Sequence, residues 1–268
     1  MQIKKSNIIM FYSFSLTIII TFLLFSCKKK EEKKSDTHNQ IVKTEITDKK
    51  NNAINFSSSI KSIGQFGNGV TDIEGNVYKT VIIENQEWMA ENLKVTKYND
   101  GTKINIEPNS NNWSTNNQPT YCFFNNDSTY NSKYGNLYNW YVIKDEVNIN
   151  KNVCPIGWHV PSEIDWNILI NYLGGEKIAG GKLKEIQITS WNQTNENTTN
   201  SSLFTALPSG YRNNGGNFGS IGNYGYWWTS TELNSIDAYY KGMYSNSESI
   251  STNNSNKKLG LSIRCIKD

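Results

Sequence analysis

The sequence predicts an α+β domain of mostly antiparallel strands, two main helices and long loops. Three observations lead there. Short aromatic and β-branched runs stand between Gly- and Asn-rich turns. Two helix signals fall among those runs. Their spacing is irregular, without the βαβ alternation that a parallel sheet requires.

The strand signals are Val77 to Ile83, Tyr121 to Phe124, Tyr224 to Thr231, Ala238 to Tyr244 and Leu259 to Ile266. The stronger helix starts at Ser162, where Ser162-Glu163-Ile164-Asp165 matches a capping box with Pro161 just outside. Ile164, Ile168, Leu169 and Tyr172 then fall on one face, and Gly174-Gly175 supplies the stop. The weaker helix lies near Tyr134 to Ile143, with Leu137, Trp140 and Tyr141 on one side. A charged content of 19% and an aromatic content of 12% fit a loop-rich extracellular fold whose rings fill irregular cores.

Ahead of this domain, Lys4 and Lys5 precede an apolar run from Ile8 to Phe25 that stops at Leu24-Phe25-Ser26-Cys27. That order reads as a secretory signal. The junction resembles the lipobox of bacterial lipoproteins, which makes Cys27 the lipidation site. The alternative is an uncleaved membrane helix, but Lys28, Lys29, Lys30, Lys33 and Lys34 all follow the apolar run, against the charge bias of such a helix. Residues 28–60 hold too few apolar groups to offset chain entropy, so a disordered tether is expected. Its lysine-then-acid start is similar to the export signal of Bacteroidota surface lipoproteins; a solvated charged linker explains it equally well. The expected organisation is a signal peptide at 1–26, the lipidated cysteine and tether at 27–60, and one domain at 61–268. The expected location is the outer membrane, lipid-anchored and surface-exposed.

The chain carries 27 basic and 24 acidic residues, a formal +3. Ten of the basic and five of the acidic residues fall within the first 50 positions, leaving 17 basic against 19 acidic beyond them. The folded part therefore has no basic excess, and nucleic acid is not an expected partner.

With Cys27 assigned to lipid, Cys122, Cys154 and Cys265 remain, and one of them must stay unpaired. Reactive groups are few. Of two histidines, His38 lies in the tether, and His159 sits in a strand-like Trp158-His159-Val160 context that suits a structural imidazole. No metal and no cofactor is expected. Asn125-Asn126-Asp127 reads as a turn rather than a metal loop.

Several ordered motifs then resemble one family. Gln86-Glu87-Trp88-Met89-Ala90-Glu91-Asn92-Leu93, Tyr134-Gly135-Asn136-Leu137-Tyr138-Asn139-Trp140 and Cys154-Pro155-Ile156-Gly157-Trp158-His159-Val160-Pro161 come first. Ala179-Gly180-Gly181-Lys182-Leu183-Lys184, Phe204 to Arg212, Gly225 to Thr231 and Ser262-Ile263-Arg264-Cys265 follow in order. Together they resemble the Fibrobacter succinogenes major paralogous domain over about residues 66–268. Two departures are an Asn-rich insertion, Thr194 to Ser202, and Leu261 where the family places phenylalanine.

The resemblance implies a secreted or lipid-anchored module without an assigned activity. It also implies a C-type lectin-like fold, the group that includes the formylglycine-generating-enzyme domain. Lectin-like folds place a stapling disulfide where Cys154 and Cys265 stand, which leaves Cys122 as a buried thiol. Oxidases of the related fold instead use a reactive cysteine pair to bind copper. Glu107-Pro108-Asn109 copies a lectin sugar-binding tripeptide, but in the wrong place, and is read as chance.

The expected function is that of a noncatalytic surface lipoprotein binding a glycan or a protein. An enzyme related to the formylglycine-generating group and a structural envelope component are the rivals. Ligand contacts are expected at Tyr211, Arg212, Asn217, Tyr224, Trp227 and Trp228, among bendable glycines and Asn amides. In a strand, Trp227 and Trp228 point to opposite faces, so one ring is expected inside and the other outside. The competing reading is that the glycines only build turns while Tyr211 and Arg212 brace the core.

Overall fold

The computed structural model describes residues 62–144, 151–186, 190–193 and 196–268; the leader at 1–26, Cys27 and the 27–60 tether with His38 lie outside them. The first strands are β1 (Gln65–Phe66), β2 (Val70–Thr71), β3 (Val77–Tyr78), β4 (Thr80–Ile83), a β-branched run, and β5 (Gln86–Met89). Next come β6 (Asn105–Ile106), helix α1 (Ser110–Thr115), β7 (Thr120–Cys122), helix α2 (Asn131–Tyr134), β8 (Leu137–Tyr138) and β9 (Trp158–His159). Helices α3 (Glu163–Tyr172) and α4 (Glu176–Leu183) lead into β10 (Tyr211–Arg212), β11 (Phe218–Gly219), β12 (Tyr224–Glu232), β13 (Asp237–Tyr244), β14 (Ile250–Asn256) and β15 (Ile266–Lys267).

The architecture is α+β, with mostly antiparallel strands in several open sheets. The largest has five strands in the order β1-β4-β5-β15-β9, so the last strand of the chain is inserted beside strands from the start of the domain. The meander β12-β13-β14 forms a three-stranded sheet, and β6 pairs parallel with β7.

Three elements differ from expectation. Leu259 to Ile266 is not one regular strand: Gly260, Leu261 and Ser262 bridge in turn to Arg212, Tyr138 and Trp227, and only Ile266 starts a ladder strand. Successive residues meet different strands, so no continuous ladder can form. The proposed helix at Tyr134 to Ile143 is instead the end of α2, β8 and a 3-10 turn at Trp140–Val142. Gly135 breaks it with φ 74, where a Cβ would stand 2.7 Å from the Leu93 carbonyl oxygen. Strand β14 carried no sequence signal because Ile-Ser-Thr-Asn-Asn-Ser-Asn is almost wholly polar; seven residue pairs with β13 hold it.

Helix α3 has the expected capping box, with Ser162 Oγ accepting from the Asp165 amide and the Asp165 carboxylate accepting from the Ser162 amide. Its buried face, however, is Trp166, Leu169 and Ile170, while Ile164 is 71% exposed and Ile168 and Tyr172 also face outward. The helix is apolar on both sides, and the large indole decides which side is covered. Trp166 lies 4.8 Å from Trp88 and 5.7 Å from Phe204, ring centre to ring centre. Helix α4 was not foreseen. A Cβ at Gly180 would sit 2.3 Å from the Ser249 carbonyl oxygen, and one at Gly181 2.5 Å from that of Asn197, so these glycines let backbones meet.

All eight tryptophans are buried, so no indole is left as a surface platform. One core gathers Tyr78, Tyr138, Trp140, Trp158, Trp228 and the Cys154–Cys265 disulfide. A second gathers Trp88, Trp166, Trp191, Phe204 and Trp227. The disulfide spans 111 residues of sequence, and Cys122 is a free, buried thiol. Burial pushes that thiol up to about 12, which keeps it protonated at neutral pH.

Candidate ligand-binding face

Strand β12 carries four of the residues through which the site is built, and its alternation sets their roles. Trp227 and Trp228 do point to opposite faces, but both faces are covered there, and both rings are fully buried. The expectation of one exposed indole is therefore corrected: Trp227 enters the second core and Trp228 the first. Each indole nitrogen is also used, donating to Asn92 Oδ1 at 2.8 Å from Trp227 and to the Tyr138 carbonyl at 2.9 Å from Trp228.

Asn92 is the centre of a buried polar network. It accepts from Trp227 and from Arg264 Nε at 3.0 Å, and its amide donates to the Tyr134 carbonyl and to Ser262 Oγ. The Arg264 guanidinium stacks 4.1 Å from the Phe204 ring centre and donates to the Phe204 and Thr205 carbonyls. Burial lowers its pKa to about 9, so it stays charged at neutral pH. Five of the motif segments thus meet at one network, whose role is to fix the chain's crossing points.

Arg212 is likewise structural, contrary to its expected ligand contact. It is fully buried, with its guanidinium 4.4 Å from the Trp113 ring centre and 4.8 Å from that of Phe218. It donates to the carbonyls of Gly216 at 3.0 Å, Glu107 at 2.5 Å and Pro108 at 3.1 Å. Each of its three nitrogens donates to one of two loops, and none is exposed to a ligand. Asn109 of the Glu107-Pro108-Asn109 tripeptide caps α1 through its side chain. Asn217 is exposed, and its backbone amide is bonded by Asn213 Oδ1.

Tyr211 and Tyr224 are brought together, through a residue that sequence reasoning missed. Tyr226 lies 5.8 Å from Tyr211 and 5.7 Å from Tyr224, ring centre to ring centre. On the next strand Tyr244 pairs with Tyr224 and Tyr240 with Trp228, and Tyr226 lies 5.2 Å from Tyr240. Opposite Tyr226 stands Gly242, where a Cβ would come within 3.0 Å of the Tyr226 ring, so the glycine makes the space that ring occupies. β14 adds Ser251 and Asn253 in register with Gly242 and Tyr240. Asn253 Nδ2 donates to Ser251 Oγ at 2.8 Å, and Ser251 Oγ lies 3.2 Å from the Tyr244 hydroxyl.

The five tyrosines are half-buried, as are Ser251 and Asn253. The hydroxyls of Tyr211, Tyr224, Tyr226 and Tyr240 have no hydrogen-bond partner among the described residues. Burial, and secondarily the crowding of phenols, raises the pKa of Tyr226 and Tyr240. Like any phenol at neutral pH, these are protonated and can both donate and accept. A period-two reading of β12 would have added Tyr226 to Tyr224; the polar strand β14 gave no signal.

Other groups are already engaged. His159 Nδ1 lies 2.6 Å from Asp268 Oδ1, and Nε2 lies 3.6 Å from the Asp165 carboxylate that caps α3. Asn125 and Asn126 form a tight turn with positive φ, and Asp127 caps the next turn. A shallow cleft of about 480 Å³ lies beside Phe66, Val77 and Thr80. Among the described residues no group of three His, Cys, Asp or Glu is placed to hold a metal ion.

Fold and face together define a disulfide-stapled α+β module with a tyrosine-lined sheet face. Residues 81–267 match the Fibrobacter succinogenes major domain, and the chain belongs to that family. No curated protein and no solved structure matches the chain.

Proposed function

We propose that the chain is a noncatalytic lipoprotein, held at the outer membrane by lipid on Cys27 and displayed on the cell surface, whose domain binds a glycan or protein. The observation that carries this reading is the face of five half-buried tyrosines, four with unpartnered hydroxyls. None of these hydroxyls is among the buried unbonded groups, so they are open to solvent and free to bond a ligand. Tyr211 and Tyr224 belong to this binding face, while Arg212, Trp227 and Trp228 support it from within.

The C-type lectin-like fold is part of the same reading. It is supported by the family resemblance and by the Cys154–Cys265 staple between the segment before α3 and the end of the chain. The rival enzyme reading requires those cysteines as a reactive pair; joined and fully buried, they favour the binder.

Protease shaving of intact cells that express the full chain tests display. Release of peptides from 61–268 by the native protein, and their loss in Cys27→Ala, is the expected result. A domain shielded in intact cells would end the surface reading.

A further inference from the structure

We infer that the tyrosine face recognises a soluble, uncharged oligosaccharide, through Tyr211, Tyr224, Tyr226, Tyr240 and Tyr244 with Ser251 and Asn253 at its rim; this rests on the binding reading above. Two features of the face select that chemistry. First, every one of these side chains is uncharged at neutral pH, where even an ordinary phenol is protonated. An acidic glycan or a nucleic acid finds no cation among them, whereas a polyol finds both donors and acceptors. An aromatic ring with a polar edge suits a sugar, which has one apolar C–H face and a hydroxyl perimeter.

The second feature is the corrugation of the face. Tyr224 and Tyr244 meet at an interplanar angle of 78°, Tyr226 and Tyr240 at 78°, and Tyr226 and Tyr244 at 81°. Rings standing across one another cannot lie together on the flat surface of a crystalline polysaccharide. They can grip one or two sugar rings of a free chain, with neighbouring phenols reaching the hydroxyls. Gly242 lets the Tyr226 ring settle at the centre of the face, because any side chain there would press on that ring and on Ser251 Oγ, 3.1 Å from its Cβ.

The test uses the full lipidated chain in detergent, titrated calorimetrically with neutral gluco-, manno-, galacto- and xylo-oligosaccharides, and with sialylated and uronate-containing ones for comparison. At least one neutral oligosaccharide is expected to bind. Tyr224→Ala and Gly242→Val are each expected to weaken it about tenfold or more, the scale of losing a binding hot spot. Both variants are checked by thermal unfolding, and Asn253→Ala, which touches no core, is the variant least able to disturb folding. Failure of every neutral oligosaccharide, preference for the acidic ones, or equal affinity in folded variants would overturn the inference. A protein ligand that bound while all sugars failed would do so too, yet leave the surface binder standing. Cleavage of the bound sugar would keep the site and end the noncatalytic reading.

Discussion

Replacing Arg212 separates a brace from a ligand contact. The guanidinium makes three hydrogen bonds and lies between the Trp113 and Phe218 rings. Charge-assisted hydrogen bonds contribute about 1.5–3 kcal/mol each, and a desolvated cation–π contact about 2 kcal/mol. Glu107 is half-buried and Pro108 exposed, so their carbonyls can regain water and the loss falls well below the sum. We expect Arg212→Ala to destabilise by about 3–5 kcal/mol, within the range of breaking a buried network. Arg212→Lys keeps the charge but loses the planar fork, and should cost about 2–3 kcal/mol. Urea unfolding gives the values, with hydrogen exchange reporting faster opening at residues 105–110 and 213–219. An Arg212→Ala protein within about 1 kcal/mol of the parent would refute the brace.

Three further outcomes follow from the same reasoning. Cys27→Ala should abolish incorporation of labelled fatty acid; label persisting in that variant would remove the proposed anchor. Cys154→Ser should destabilise by up to about 4–5 kcal/mol, the chain-entropy value for a loop near the 111 residues closed here. Nonreducing peptide mapping that joined Cys122 to either partner would refute the pairing. Stability should fall as pH rises above about 10, where unfolded tyrosine ionises while the raised pKa values of Tyr78, Tyr138 and Tyr226 keep the folded phenols protonated. Each such group removes about 1.4 kcal/mol per pH unit in that window. Lys184, lowered to about 8 by burial, and Arg264, lowered to about 9, act in the opposite sense between those values and their unfolded ones, while Cys122, raised to about 12, adds to the loss. A flat urea midpoint from pH 10 to 11 would contradict the burial of these phenols.

Local chemistry was legible wherever one residue's bonding decides an element. Ser162 and Asp165 announce their helix because the cap is made by those two side chains. Strands β12 and β13 announce themselves through aromatic content. The buried side of α3 was not legible, because Ile164 and Ile168 line one face and Trp166, Leu169 and Ile170 the other, and only contact with Trp88 and Phe204 decides. Most of the candidate site, including Tyr226, escaped for a related reason. Tyr211 and Tyr224 could be named from their loop, but Tyr240, Tyr244, Ser251 and Asn253 join them only through cross-strand register. Trp227 and Trp228 misled because alternation gives direction and not cover: each face of β12 meets its own core at that point.

The most direct test of the tyrosine face as the binding surface is nitration footprinting of intact cells by tetranitromethane, read by mass spectrometry with and without the tightest oligosaccharide of the panel. Tyr224 and Tyr244 should be nitrated in the free protein and protected when the sugar is bound, while Tyr172, 44% exposed on α3, should be nitrated equally in both. Unchanged nitration of Tyr224 and Tyr244 under saturating sugar, with protection of Tyr172 instead, would contradict the account.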